Sequence, residues 1–148
     1  MRIEEEIKTT KFKNLKMKAI LNTVFTANWF NAQSAEQLRA FDLSLSQYNI
    51  LRILRGSYPK RLPILEIKAR MLDKTPNTTR LVTKLLEKRL VEREQCESDR
   101  RVFYISISKE GLAFLEDVDQ QLEPVEAQLN LTEEEAKTLS DLLDKVRG

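Results

Sequence analysis

Two short stretches of this 148-residue chain carry side chains with usable chemistry. The first holds Asn77, Thr79, Arg80, Thr83, Lys84 and Glu87. These fall on one face of a helical pattern, opposite Thr78, Leu81, Val82, Leu85 and Leu86. An arginine fork can bond two acceptors of guanine, and an asparagine amide can bond adenine in the same two-pronged way. Threonine hydroxyls and the lysine ammonium suit phosphates or base edges. The second stretch is Asp99-Arg100-Arg101, on a turn between two β-patterned segments. Arginines on such a projection suit a narrow minor groove, where the negative potential is enhanced. Asp99 can hold a guanidinium in one direction through paired hydrogen bonds. The candidate DNA-contacting residues are therefore Asn77, Thr79, Arg80, Thr83, Lys84, Asp99, Arg100 and Arg101. The plainer reading is a solvated helix face and ordinary turn chemistry.

Charge favours the nucleic-acid reading. The net charge is only +2, but it is unevenly placed. Residues 44–108 hold 14 Lys and Arg against 7 Asp and Glu, a net +7. Residues 109–148 hold 4 against 11, a net −7. Such asymmetry points to nucleic acid or a membrane surface as partner of the basic part. Absences narrow the choice. There is no His, one Cys (Cys96), and only Gly56 and Gly111 inside the chain. A Cys/His zinc site, a Ser-His or Cys-His nucleophile pair and a phosphate-cradling glycine loop are all excluded. No paired carboxylates stand out for acid–base work, so an enzyme is not expected. No cofactor or metal is implied. A lone cysteine forms no disulfide within the chain and fits a reducing cytoplasm. No run approaches the ~18 apolar residues of a membrane span, and the first residues lack the apolar core of a signal peptide.

The elements that position these residues can be read from periodicity. A helical pattern runs from about Lys11 to Phe41, apolar on more than one stripe between Met17 and Phe30. Such a helix needs cover on several sides, and a second copy of the chain could supply it. Ser44 and Gln47 form a capping box for a second helix, expected to stop with Gly56 left-handed. A third helix is expected over about Ile64–Leu72, then a turn of about three residues. Thr75 as cap and Pro76 at the first position start a fourth helix running to about Leu90. The period then changes from 3.6 to 2: Val91–Cys96 and the alternation around Phe103, Ile105 and Ile107 form a hairpin. Ser108 caps a fifth helix, which Pro124 must end or kink. Thr132 and Glu135 cap a last helix burying Ala136, Leu139, Leu142, Leu143 and Val146. Helices three and four are a helix-turn-helix candidate, whose second helix would enter a major groove.

In this order and spacing the segments QYNILRIL, TTRLVTKLLEKRLVER and SDRRVFYISISKEG resemble the multiple-antibiotic-resistance regulator (MarR) family, over about Leu15 to Arg147. The resemblance implies a fold that is mainly α with a small β-hairpin wing: a winged helix-turn-helix flanked by N- and C-terminal dimerisation helices. Residues 1–43 and 109–148 would form the dimerisation region and residues 44–108 the DNA-binding region. It implies a homodimeric transcriptional regulator, a repressor rather than an activator, on a pseudo-palindromic double-stranded DNA site. Thr79, Arg80 and Lys84 would contact the major groove. Arg101 would be the wing arginine and Asp99 its brace. Relatives that bind small aromatic or phenolic effectors make Trp29, Phe30 and Tyr48 candidate lining residues, though aromatic stripes are ordinarily core. Where the family often has a glycine before the Leu-Val after helix four, this chain has Arg89, so a less sharply ended helix is expected. Pro63-Ile64 replaces a common Ser/Thr cap on helix three. Cys96 matches no oxidant-sensing position and reads as a small inert hydrophobe. The alternative is a dimeric winged-helix module that binds protein rather than DNA.

Overall fold

The computed structural model describes residues 1–96, 99, 101–124, 127 and 129–148. The element order is α1 (Ile3–Glu6), α2 (Leu15–Arg39), α3 (Leu45–Arg55), β1 (Leu62–Pro63), α4 (Ile64–Arg70), α5 (Thr78–Glu87), β2 (Val91–Gln95), β3 (Phe103–Ile107), α6 (Lys109–Gln121) and α7 (Glu133–Arg147). The three strands form one antiparallel sheet in the order β1-β3-β2. Val91 pairs with Ile107 and Gln95 with Phe103, while Leu62 pairs with Ile105 from the other side. The fold is thus mainly α with a small winged sheet.

One core joins these elements. Ile50, Leu51 and Leu54 of α3 are fully buried, together with Leu62, Ile67, Leu85, Ile105 and Leu115. Leu38 at the end of α2 and Val118 of α6 belong to the same cluster. Helix α5 therefore sits on a floor built by α3, α4 and the sheet, which fixes the direction its outer face looks.

Local capping follows the sequence at several starts. Ser44 and Gln47 close a reciprocal capping box on α3, and Thr132 and Glu135 do so on α7. The Ser108 hydroxyl accepts the Gly111 N–H at 2.8 Å. Asn14 caps α2, whose helix begins at Leu15 rather than Lys11. Helix α6 ends at Gln121, before Pro124.

Other starts and stops differ from expectation. Thr75 does not cap α5. Asp73 accepts both its N–H (2.9 Å) and its hydroxyl (2.6 Å), closing a local turn. Asn77 takes the cap instead, accepting the Arg80 N–H at 3.1 Å. The link from α4 to α5 is therefore seven residues, 71–77, because Met71 already turns extended with ψ 141°. Leu65 and Leu72, expected with the apolar residues of helix three, are exposed. Pro63 stands at the N-cap of α4 without a side-chain cap, since its ring carries no acceptor, and Leu62-Pro63 pairs with β3 as a short strand.

Gly56 is right-handed, with φ −65°, whereas Arg89, like Lys8 and Asp42, is left-handed, with φ 59°. The Leu90 N–H donates to Leu85 O at 3.0 Å and the Arg89 N–H to Leu86 O at 2.9 Å. This paired closure ends α5 sharply despite the missing glycine. A side chain in this conformation costs roughly 1–2 kcal/mol, which glycine avoids at an entropic cost of about 0.5–1 kcal/mol. Arg89→Gly should therefore stabilise the protein by about 0.5 kcal/mol, read as a higher urea midpoint; a lower midpoint would mean the Arg89 side chain contributes more than its backbone strain removes.

The last helix corrects the burial expected of it. Leu139, Leu142 and Val146 of α7 are exposed, and none of its residues is buried in the protomer. Leu15, Met17, Ile20, Leu21 and Val24 of α2 are exposed too. The apolar pattern of both helices exceeds what the rest of one chain covers.

Candidate nucleic-acid interface

Helix α5 divides cleanly. Thr78, Val82 and Leu85 are buried, and the Thr78 hydroxyl lies 3.5 Å from the Met71 sulfur. Asn77, Thr79, Arg80, Thr83, Lys84 and Glu87 line one shallow hollow on the outer side. Thr79, Arg80, Thr83 and Lys84 are exposed there. The structure thus brings together the five candidate helix residues and Glu87, the six that the helical pattern places on one face. Neither Arg80 nor Lys84 forms an ion pair among the described residues, although Lys84 is near enough to help lower the Asp42 carboxyl.

Asn77 has a structural role that the sequence pattern assigns to Thr75. Its side-chain oxygen accepts the Arg80 N–H at 3.1 Å, which leaves its amide N–H donors and the second lone pair of that oxygen for other partners. It orders the start of α5 and thereby places Arg80. The Thr83 hydroxyl donates to Thr79 O at 3.0 Å.

The wing projects as β2, the tip and β3. The Asp99 carboxylate accepts the Arg101 backbone N–H at 2.9 Å, and its carbonyl accepts the Val102 N–H at 2.9 Å. The Cys96 N–H donates to Val102 O at 2.9 Å, narrowing the base of the tip. Asp99 therefore braces the backbone that carries Arg101 and makes no ion pair with the Arg101 guanidinium. This is turn chemistry in which a short acidic side chain bonds the chain two residues on. Arg101 is exposed. Arg100, with Glu97 and Ser98, lies outside the described residues.

Several basic residues counted in the +7 segment are engaged in structural contacts. The Arg93 guanidinium stacks over the Phe103 ring at 3.4 Å, and Arg61 pairs with Glu94 across the sheet. Lys88 bonds the Asp42 carboxylate at 2.6 Å, tying the end of α5 to the turn after α2. The lysine holds the Asp42 carboxyl below the usual carboxylate range. These braces are invisible to periodicity because each joins residues far apart in the chain. Lys68, Lys74 and Arg89 share with Arg80, Lys84 and Arg101 the lack of an ion pair among the described residues.

A cleft of about 700 Å³ lies between α2, α3 and the end of α6. Leu38, Leu45, Tyr48, Arg52, Asp119 and Leu122 are among its walls. The Tyr48 hydroxyl donates to Asp119 at 2.8 Å and Arg55 donates to the other carboxylate oxygen at 2.6 Å. Burial pushes the Asp119 carboxyl up, but the bonds from Arg55 and Tyr48 outweigh it and hold the group below its usual range. Burial and the Asp119 contact raise the Tyr48 phenol. Trp29 and Phe30 are half-buried, pack edge-on to each other at 4.9 Å and do not line this cleft. Of the three aromatic candidates only Tyr48 does. Among the described residues no acidic or thiol cluster could hold a metal ion, and no helix is long and apolar enough to cross a membrane.

The model of the MarR family matches residues 43–103, from α3 to the first residue of β3. A MarR transcription factor from Planctomyces limnophilus is 33% identical, with 74% of this chain and 79% of that chain covered and a TM-score of 0.66. The chain belongs to the MarR family. As a MarR-family protein it is a transcription regulator and not an enzyme. The HTH-type transcriptional regulator MhqR of Bacillus subtilis (strain 168) is 26% identical over 136 residues, 90% of this chain and 91% of that protein. A mutant MarR from E. coli, crystallised with operator DNA, overlaps with a TM-score of 0.75 at 24% identity, over 92% of this chain and 99% of that one. That overlap shows the MarR winged-helix fold along almost the whole chain.

Proposed function

We propose that this MarR-family protein is a cytoplasmic homodimer that binds a pseudo-palindromic duplex site and represses transcription from it. The observation that carries the reading is the outer face of α5, where Thr79, Arg80, Thr83 and Lys84 stand exposed with both cations unpaired among the described residues. One α5 from each protomer enters a major groove, and Arg101 on the wing reaches the adjacent minor groove. The E. coli MarR of the same fold was crystallised with operator DNA, which supports this placement.

The exposed apolar residues of α2 and α7 support the dimer, since a patch of that extent marks a protein–protein contact. In this division residues 44–108 contact DNA and residues 1–43 and 109–148 join the protomers. The cleft beside Tyr48 would admit a small aromatic or phenolic effector. Such a ligand releases DNA only to the extent that it binds the non-binding arrangement of the dimer more tightly.

Selection of duplexes from a random pool by the purified protein tests the reading. The selected site should be two-fold symmetric, with half-sites about one helical turn apart. Its affinity should fall steeply with salt. Arg101→Ala should flatten the dependence of log K on log salt by about 1 for each phosphate that the arginine neutralises. No enrichment of any duplex, or an affinity indifferent to salt, would remove the DNA reading.

A further inference from the structure

We infer that Thr83 is a specificity-determining residue that selects a thymine through a methyl–methyl contact. This rests on the proposed placement of α5 in the major groove. Thr83 lies within the exposed arc of α5, one turn from Arg80 on one side and from Glu87 on the other. Its hydroxyl proton is directed back to the Thr79 carbonyl at 3.0 Å. A threonine in a helix has two favoured side-chain arrangements, one of which makes this backward bond. In that arrangement the hydroxyl faces the helix backbone and the γ-methyl is the group presented outward.

Every other side chain lining this face offers a polar end. Arg80 and Lys84 are donors, Glu87 is an acceptor, and Thr79 carries a hydroxyl. Thr83 is the apolar point among them. In the major groove the only apolar group that a base pair displays is the C5-methyl of thymine. A methyl seated among donors and acceptors distinguishes thymine from cytosine by contact with that group. A cytosine at the same place has no C5-methyl and loses this contact.

The experiment uses the full-length protein and the duplex that it selects. Each thymidine of the half-site is replaced in turn by deoxyuridine, which removes the C5-methyl and leaves the base-pairing edge unchanged. At one position the wild-type affinity should fall about fourfold per half-site, the factor for one buried methyl. Thr83→Ser keeps the hydroxyl and loses the methyl, and should bind the thymidine and deoxyuridine duplexes equally. Thr83→Val keeps a methyl and loses the hydroxyl, and should retain the fourfold preference. Position 83 is exposed, so unchanged melting temperatures establish that both variants are folded. A wild-type protein indifferent to every deoxyuridine, or a Thr83→Ser variant as sensitive as the wild type, overturns this inference while leaving DNA binding intact. A wild-type protein that selects no duplex overturns the DNA reading and this inference with it.

Discussion

Gly111→Ala should lower the melting temperature by roughly 6–12 °C, on a cost of about 3 kcal/mol for overpacking and 2–4 °C per kcal/mol in a chain of this size. The first turn of α6 lies directly on the end of α5. A Cβ on Gly111 would stand 2.0 Å from the Leu90 carbonyl oxygen and 2.9 Å from Ile107 Cγ1. The first of these is backbone and cannot rotate aside. The same carbonyl accepts the Ser108 N–H at 3.1 Å, so moving α6 outward would also break that bond. Gly56→Ala provides the contrast. Its Cβ would meet the nearest atom at 3.4 Å with φ already right-handed. That substitution should be neutral or stabilising by about 0.4–1 kcal/mol, through the unfolded chain. Equal melting temperatures for the two variants would refute the close approach of α6.

Arg80→Ala should weaken binding to the selected site by about 1–3 kcal/mol per half-site, roughly 5- to 150-fold, with little change in melting temperature. The side chain is exposed and makes no ion pair among the described residues, so truncation disturbs no structural partner. Arg80→Lys separates charge from geometry. It keeps the cation but loses the planar fork, so it should restore affinity for arbitrary duplex and not the preference for the selected base. Full restoration of specificity by lysine would place Arg80 on a phosphate rather than a guanine.

Much of this arrangement is legible in the sequence where the determining interaction is local. Ser44 with Gln47, Ser108, and Thr132 with Glu135 are caps that need only three neighbouring residues, and each forms as read. The alternation around Ile105 and the two faces of α5 follow from periodicity alone. Legibility fails where two local choices compete. Thr75 and Asn77 are both competent caps, and Asp73 decides between them by engaging Thr75. It fails again where the partner is distant, as for the two-residue strand Leu62-Pro63, which exists only because β3 holds it. For α7 the apolar pattern is clear, but nothing within the protomer buries it. Asp99 shows a subtler gap: periodicity does not reveal that its carboxylate accepts the Arg101 backbone N–H.

The junction at Leu90 also has a mechanical meaning. Leu90 N–H is bonded to α5 and Leu90 O to the start of α6, and the Ser108 hydroxyl donates to Arg89 O at 2.8 Å. These links run mainly through backbone atoms, so the corner behaves as a weld rather than a hinge. A displacement of α6 then passes to α5 as rotation of a stiff rod. For a ten-residue helix about 15 Å long, a tilt of about 10° moves the far end by roughly 2.5 Å. That far end carries Thr79 and Arg80, and a shift of this size is comparable to the whole length of a hydrogen bond. The corner thus lets a small motion of α6 displace short-reach side chains at the start of α5.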